Sequence, residues 1–206
     1  MTSLLRPLHD GTGNSWHKRL RRWNGYSGRD NDAYRRLCIY LAGDVSGTRE
    51  LQHEAADEGS IAGWNAARHA APTAWRRRVP LSIAFTDPDI ASIGCRFDRL
   101  PAHALIGEAR GSGNGRSKIA GHEDNLVRLY ADPASGRLLG AAVLSVGGEH
   151  LAHLLAWAIQ RGETVAGLLE MPFYHPTEEE LIQSALNDLL SKMEKSDPLA
   201  RGLNRY

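Results

Sequence analysis

The residues best equipped for chemistry stand near the C-terminus, in His175-Pro176-Thr177-Glu178-Glu179-Glu180. An imidazole with a carboxylate partner can be held in one tautomer and can exchange protons near neutral pH. Pro176 fixes the backbone direction beside it. The same residues spell Thr-x-x-Glu, a helix capping box, in which Glu180 would instead accept from the backbone of Thr177. One carboxylate is expected to serve only one of these roles fully. Spacing therefore leaves two alternatives: a general acid/base, catalytic through His175 and Glu180, or the start of a helix.

A second constellation is Tyr40-Leu41-Ala42-Gly43-Asp44-Val45 with the helical pattern after it. An Asp at the carboxyl end of a strand can accept hydrogen bonds from sugar-like hydroxyls, and the Gly before it lets a ligand approach the backbone. A following helix aims its N–H groups at the same crevice. An ordinary strand-to-helix turn with Asp as a cap explains the pattern equally well. His150 and His153 share a helix face, but no carboxylate or Cys cluster accompanies them, so no metal site is expected. Cys38 and Cys95 are far apart and form neither a redox nor a metal pattern.

These residues need elements to position them. Leu37-Cys38-Ile39-Tyr40-Leu41-Ala42 is expected to be a buried strand. Residues 49–67 follow as a helix, with Leu51, Ala55, Glu58-Gly59 and Ala62 on the inner face. Trp75-Arg76-Arg77-Arg78 is expected to be a charged connector. Leu81-Ser82-Ile83-Ala84-Phe85 is a strand stopped by Asp87-Pro88, and Ile90 to Gly94 is a short apolar piece after it. Gly111-Ser112-Gly113-Asn114-Gly115 is expected to be a flexible loop; it lacks the Lys-Ser/Thr of a phosphate loop. Leu126 to Tyr130 and Leu138 to Val146, joined by Asp132-Pro133-Ala134-Ser135-Gly136, form a hairpin. Helices are expected over 149–160 and 178–194. The latter carries an apolar stripe of Leu181, Ala185, Leu189 and Met193.

The chain has 206 residues, 42% apolar and 24% charged, with a net charge of +1. That composition suits a packed core and gives no strong electrostatic instruction about partners. No run approaches the roughly 20 apolar residues of a membrane span. The N-terminus lacks the apolar core of a secretory signal. A cytoplasmic protein is expected. His17-Lys18-Arg19-Leu20-Arg21-Arg22-Trp23 is basic but has no aromatic ladder, so a solvated tail is favoured over nucleic-acid binding.

Taken in order, the motifs resemble the pyridine nucleotide-disulfide oxidoreductases, the group of dihydrolipoyl dehydrogenase and glutathione reductase, with the former the nearer relative. The carriers are Tyr40 to Gly47 with Leu51 to Gly59, Pro80 to Gly94 with Phe85 to Gly94 inside it, Ser117-Lys118-Ile119, the hairpin with Gly140-Ala141, and His175-Pro176-Thr177-x-x-Glu180. They cover roughly 37–190. The resemblance implies an α+β fold, a mostly antiparallel sheet flanked by helices, preceded by a strand-helix remnant of an FAD-binding domain. It divides the chain into a poorly ordered basic segment (1–36), the FAD-domain remnant (37–75), a dimerisation domain (79–195) and a tail (196–206). It implies that Gly43, Asp44, Leu51, Gln52, His53 and Ala55 lie at the flavin, with Asp44 on its ribityl chain. His175, oriented by Glu180, would shuttle protons in the active site of the partner subunit. It also implies a homodimer, or pairing with a separate N-terminal half. The family's Gly-x-Gly-x-x-Gly turn, Cys-x4-Cys pair and NAD(P) domain have no counterpart in the chain. A truncated gene product, inactive alone, is therefore expected. The alternative is a non-catalytic dimerisation or interaction module.

Overall fold

A computed structural model describes residues 40–47, 49–68 and 70–193. The basic N-terminal segment, Leu37 to Ile39 with Cys38, and the tail beyond Met193 lie outside the described residues. The chain divides into two units between Arg77 and Arg78.

In the first unit a 3-10 turn at Asp44–Ser46 precedes helix α1, Gln52–Ala66. The expected strand is not formed across 40–42. A strand exists only where a neighbour accepts and donates along it, and no described segment pairs there. The inner face of α1 meets expectation at Glu58 and Ala62 but not at Leu51 and Ala55, which are half-buried. Its buried residues are Glu54, Glu58, Ala62 and Asn65, a largely polar stripe. Each polar member is partnered: Asn65 bonds both the N–H and the carbonyl of Thr73 at 2.9 and 3.1 Å, and both glutamates are ion-paired. Arg77 is no mere connector. Its side chain is only 13% exposed and reaches Glu58. Trp64 and Trp75 meet edge to face at 5.8 Å, with Arg68 over Trp64.

The second unit is built on five antiparallel strands: β1 (Leu81–Ala84), β2 (Asp89–Gly94), β3 (Leu105–Arg110), β4 (Leu126–Ala131) and β5 (Leu138–Ser145). Their order in the sheet is β1-β2-β5-β4-β3. The β4–β5 hairpin forms as its alternation predicts, with a register shift at Tyr130/Ala131. Helices α2 (Gly115–Ala120), α3 (Gly148–Arg161), α4 (Val165–Leu169) and α5 (Glu180–Ser191) complete the unit. Leu151, Ala152, Leu155 and Ala158 of α3 share a core with Leu181, Ile182, Ala185, Leu186 and Leu189 of α5. One face of the sheet supplies the rest: Ala91, Ile93, Val127, Leu129, Ala141 and Val143. This α+β arrangement is the one expected. No described helix is long and apolar enough to cross a membrane.

Strand β3 was not foreseen. Its core-facing positions are Gly107 and Ala109, which give little hydrophobic signal. The reason is steric: a Cβ on Gly107 would lie 2.3 Å from the carbonyl oxygen of Ala185 and 2.6 Å from Leu189. The glycine lets α5 lie directly on the strand. Gly107→Val is expected to destabilise this unit by about 3 kcal/mol, the upper part of the usual overpacking range, because backbone is in the way. Urea unfolding of the variant beside the parent measures it; an unchanged midpoint would contradict the packing described. Along the outer edge of β3, Asp188 accepts from the Glu108 N–H at 2.8 Å, and Lys192 donates to the Ile106 carbonyl at 2.7 Å.

Candidate functional site

Helix α5 begins two residues later than the sequence predicts, because Glu178 and Glu179 form the turn that delivers it. Glu180, its first residue, has a carboxylate with two partners. His175 Nδ1 lies 2.9 Å from Oε1 and 3.1 Å from Oε2, and the Thr177 N–H donates to Oε2 at 3.0 Å. The expected competition between capping and imidazole binding therefore does not arise. The Thr177 hydroxyl takes no part in the cap; it donates to the Tyr174 carbonyl at 2.8 Å. With two oxygens and several lone pairs, the carboxylate can accept from the Thr177 N–H and hold the ring as well. The His175–Pro176 peptide is cis.

The His175 side chain is 73% exposed, while that of Glu180 is 21% exposed. Among the described residues nothing hydrogen-bonds to Nε2 of the ring, and Gly115 leaves room beside Cε1. Burial pushes the Glu180 carboxyl up, but the Thr177 N–H and His175 outweigh it and hold the group below the ordinary glutamate range. A carboxylate with a depressed folded pKa stabilises the fold above its unfolded value, about 4.3, and that contribution is lost as pH falls through the folded value. The stability difference between the parent and Glu180→Gln is thus expected to be full near pH 6 and to shrink below about pH 4. Denaturation of both proteins across that range checks it; a constant difference would be inconsistent with the linkage.

Behind this pair lies a hydrogen-bonded layer that the sequence did not disclose. The stretch expected to be a flexible glycine loop is a 3-10 turn, Gly111–Gly113, leading into α2. Asn114 caps α2, accepting from the Ser117 N–H at 2.8 Å, and its amide donates to the Thr177 carbonyl at 3.0 Å. The Ser117 hydroxyl donates to Glu178 at 2.6 Å, and Asn125 donates to the same carboxylate at 3.3 Å. Asn114, Ser117 and Asn125 are all buried. The one legible trace of it in the sequence is Ser117-Lys118-Ile119.

The residues assigned to the flavin by resemblance all belong to the first unit. Gly43 is buried with φ of 76°, a conformation that favours glycine, and its N–H donates to Glu58 at 2.7 Å. A Cβ on Gly43 would stand 3.3 Å from that of Ala55, so these two are neighbours. Asp44, Gln52 and His53 are exposed; Leu51, at the N-cap of α1, is half-buried. Asp44 opens the 3-10 turn without capping it through its side chain. An exposed carboxylate on a glycine turn suits acceptance from ligand hydroxyls. The positioning role of Glu58 was missed, because a buried glutamate has no signature in hydrophobic periodicity. His150 pairs with Glu149, and no cluster of metal-ligating side chains occurs among the described residues.

An antiparallel sheet with its helices packed on one face, and a histidine–carboxylate pair at the head of the last helix, places the second unit among α+β interface domains. Residues 80–186 match the family model of the pyridine nucleotide-disulphide oxidoreductase dimerisation domain, and the chain belongs to that family. It is 31% identical over 160 residues to a dihydrolipoyl dehydrogenase of Haloferax volcanii, an alignment covering 75% of this chain and 33% of the relative. With the mitochondrial dihydrolipoyl dehydrogenase of Canis lupus familiaris it shares 29% over 150 residues, 71% of this chain and 29% of that one. The crystal structure of LpdA from Mycobacterium tuberculosis superposes with a TM-score of 0.63 at 25% identity, covering 72% of this chain and 33% of that one. The HOCl-induced flavoprotein disulfide reductase RclA of Escherichia coli shares the fold, with a TM-score of 0.61 at 20% identity over 74% of this chain and 35% of its own. The chain thus spans about a third of the length of these relatives.

Proposed function

We propose that this chain is the interface portion of a cytoplasmic, FAD-dependent NAD(P)H:disulfide oxidoreductase of the dihydrolipoyl dehydrogenase kind, and that His175 is its acid/base. One observation carries the reading: His175 Nδ1 rests on the Glu180 carboxylate while the ring stays exposed. A proton held on Nδ1 by the carboxylate puts the lone pair on Nε2, which faces outward. There it can take the proton of a substrate thiol. The resulting thiolate attacks one sulfur of a disulfide, a new S–S bond forms as the old one breaks, and the displaced thiolate recovers the proton from Nε2. Glu180 keeps its negative charge throughout and stabilises the imidazolium.

The reacting disulfide would come from another part of the assembly, because Cys38 and Cys95 are not spaced as the family's Cys-x4-Cys pair. A second subunit or an N-terminal half is the partner. FAD would supply electron transfer between a nicotinamide and that disulfide. In this chain Asp44, Gly43 and the start of α1 at Leu51, Gln52, His53 and Ala55 would hold it, and the segment 37–75 would be part of its domain.

The test is complementation. The chain is mixed with a polypeptide carrying the Gly-x-Gly-x-x-Gly and Cys-x4-Cys segments of a relative, with FAD and NADH. Reduction of lipoamide only in the mixture supports the proposal. Assembly on sedimentation without turnover would remove the acid/base role. It would favour the second reading, a non-catalytic dimerisation module, to which the exposed Trp157 and Tyr174 also lend themselves.

A further inference from the structure

We infer that Asn114 is a positioning residue for His175, acting through the backbone of Thr177; the inference rests on the acid/base reading of that histidine. His175 itself touches little. Its only hydrogen bonds among the described residues go to Glu180. The ring is therefore placed as well as Glu180 and the turn before it are placed. That turn, Tyr174 to Glu179, has no strand or helix ladder of its own to hold it.

Two tethers hold it from β3–α2–β4. The first is Asn114, 5% exposed, with both ends of its amide engaged. Oδ1 accepts from the Ser117 N–H at 2.8 Å, which fixes which end of the amide is which, so Nδ2 must face the Thr177 carbonyl at 3.0 Å. Thr177 thus has its N–H, in the peptide from Pro176, held by Glu180 at 3.0 Å, and its carbonyl, in the peptide to Glu178, held by Asn114. With one bond on each side of its Cα, neither flanking peptide plane can turn without breaking a hydrogen bond. The second tether is the Glu178 carboxylate, which receives the Ser117 hydroxyl at 2.6 Å and the Asn125 amide at 3.3 Å. Asn125, 2% exposed, uses its other end to accept from the Val146 N–H at 3.1 Å, which ties it to the end of β5. Buried amides satisfied at both ends are rigid, because any other rotamer leaves a polar group unpaired.

Asp at position 114 separates capping from positioning. Asp caps helices as well as Asn, so α2 keeps its acceptor for Ser117, but it has no N–H to give to Thr177. Nitrogen–proton correlation NMR of the histidine rings in the full chain reads the tautomer of His175 directly. The parent is expected to show the Nδ1-protonated form. Asn114→Asp is expected to lose that signature in favour of a mixture and to lose exchange protection at the Thr177 amide, with a lowered melting temperature because a buried carboxylate then faces the Thr177 carbonyl. An unaltered His175 tautomer in a folded Asn114→Asp protein overturns the inference. Should that variant not fold, Asn125→Asp keeps the acceptor for Val146 and removes the donation to Glu178; loss of the Nδ1 signature supports the network, and its retention overturns it. These spectra need no turnover. A chain that shows the shift but no complementation loses the acid/base reading and keeps the positioning; a chain that complements without the shift does the reverse.

Discussion

His175→Gln is expected to lower disulfide-reducing turnover of the assembled enzyme by about a hundredfold to ten-thousandfold, the range that a positioned general acid/base supplies. Glutamine can still donate a hydrogen bond to Glu180 but cannot accept and return a proton. The loss should fall on kcat, with KM nearly unchanged, because an exposed imidazole that transfers protons contributes little to uniform binding. The fold should be indifferent, since the ring is 73% exposed and anchored at a single carboxylate. Glu180→Gln should cost less. A carboxamide oxygen can still accept from Nδ1, so orientation survives while the charge that stabilises the imidazolium is gone. The steady-state kinetics of both variants, reconstituted with the rest of the enzyme, decide the matter. Equal turnover in His175→Gln and the parent would end the acid/base assignment.

Glu58→Leu is expected to destabilise the first unit by about 3 to 5 kcal/mol, the usual cost of breaking a buried ion pair from one side. The Glu58 side chain is 3% exposed and that of Arg77 13% exposed. Burial already lowers the Arg77 pKa, against the pull of Glu54. Removing Glu58 would leave that cation to the more distant Glu54, 3.8 Å away, and would strip the Gly43 N–H of the carboxylate it donates to at 2.7 Å. The Ser46 hydroxyl, 3.3 Å from the other oxygen, would lose that acceptor too. Glu58→Gln should be milder, because an amide oxygen still accepts from Gly43. The double variant Glu58→Leu/Arg77→Leu should recover much of the loss, since it buries no unpaired charge. Hydrogen exchange at the Gly43 amide reads the effect locally. Protection that survives Glu58→Leu would show that the carboxylate does not hold the turn.

What the sequence disclosed and what it hid follow from how each element is stabilised. The β4–β5 hairpin and α5 were legible because their side chains alternate or recur against one core. Strand β3 hid because its neighbour demanded glycine at 107, and a residue chosen for its absence of side chain leaves no apolar signal. The start of helix α2 hid at the end of Gly111 to Gly115, where Asn114 reads as loop chemistry and is in fact a cap. The face of α1 was legible in part. Glu58 and Ala62 are inside as expected, but Glu54 and Asn65 are buried where Leu51 and Ala55 are only half-buried, because partners such as Arg49 and Arg77 come from outside the helix. At the site, the types and spacing of His175 and Glu180 were plain. Their shared geometry was not, since it depends on Asn114 and Asn125, more than 50 residues upstream by their own numbering.

The edge of β3 has a consequence for how copies of this chain can associate. A free strand edge is a template: an incoming strand needs only its own backbone to continue the sheet. Here the outward N–H of Glu108 and the outward carbonyl of Ile106 are already occupied by Asp188 and Lys192, one turn apart on α5. The helix thus acts as a stopper, and a sheet shared between two copies cannot be continued through that side. On the β3 side, association is directed to side-chain surfaces and away from backbone-to-backbone growth.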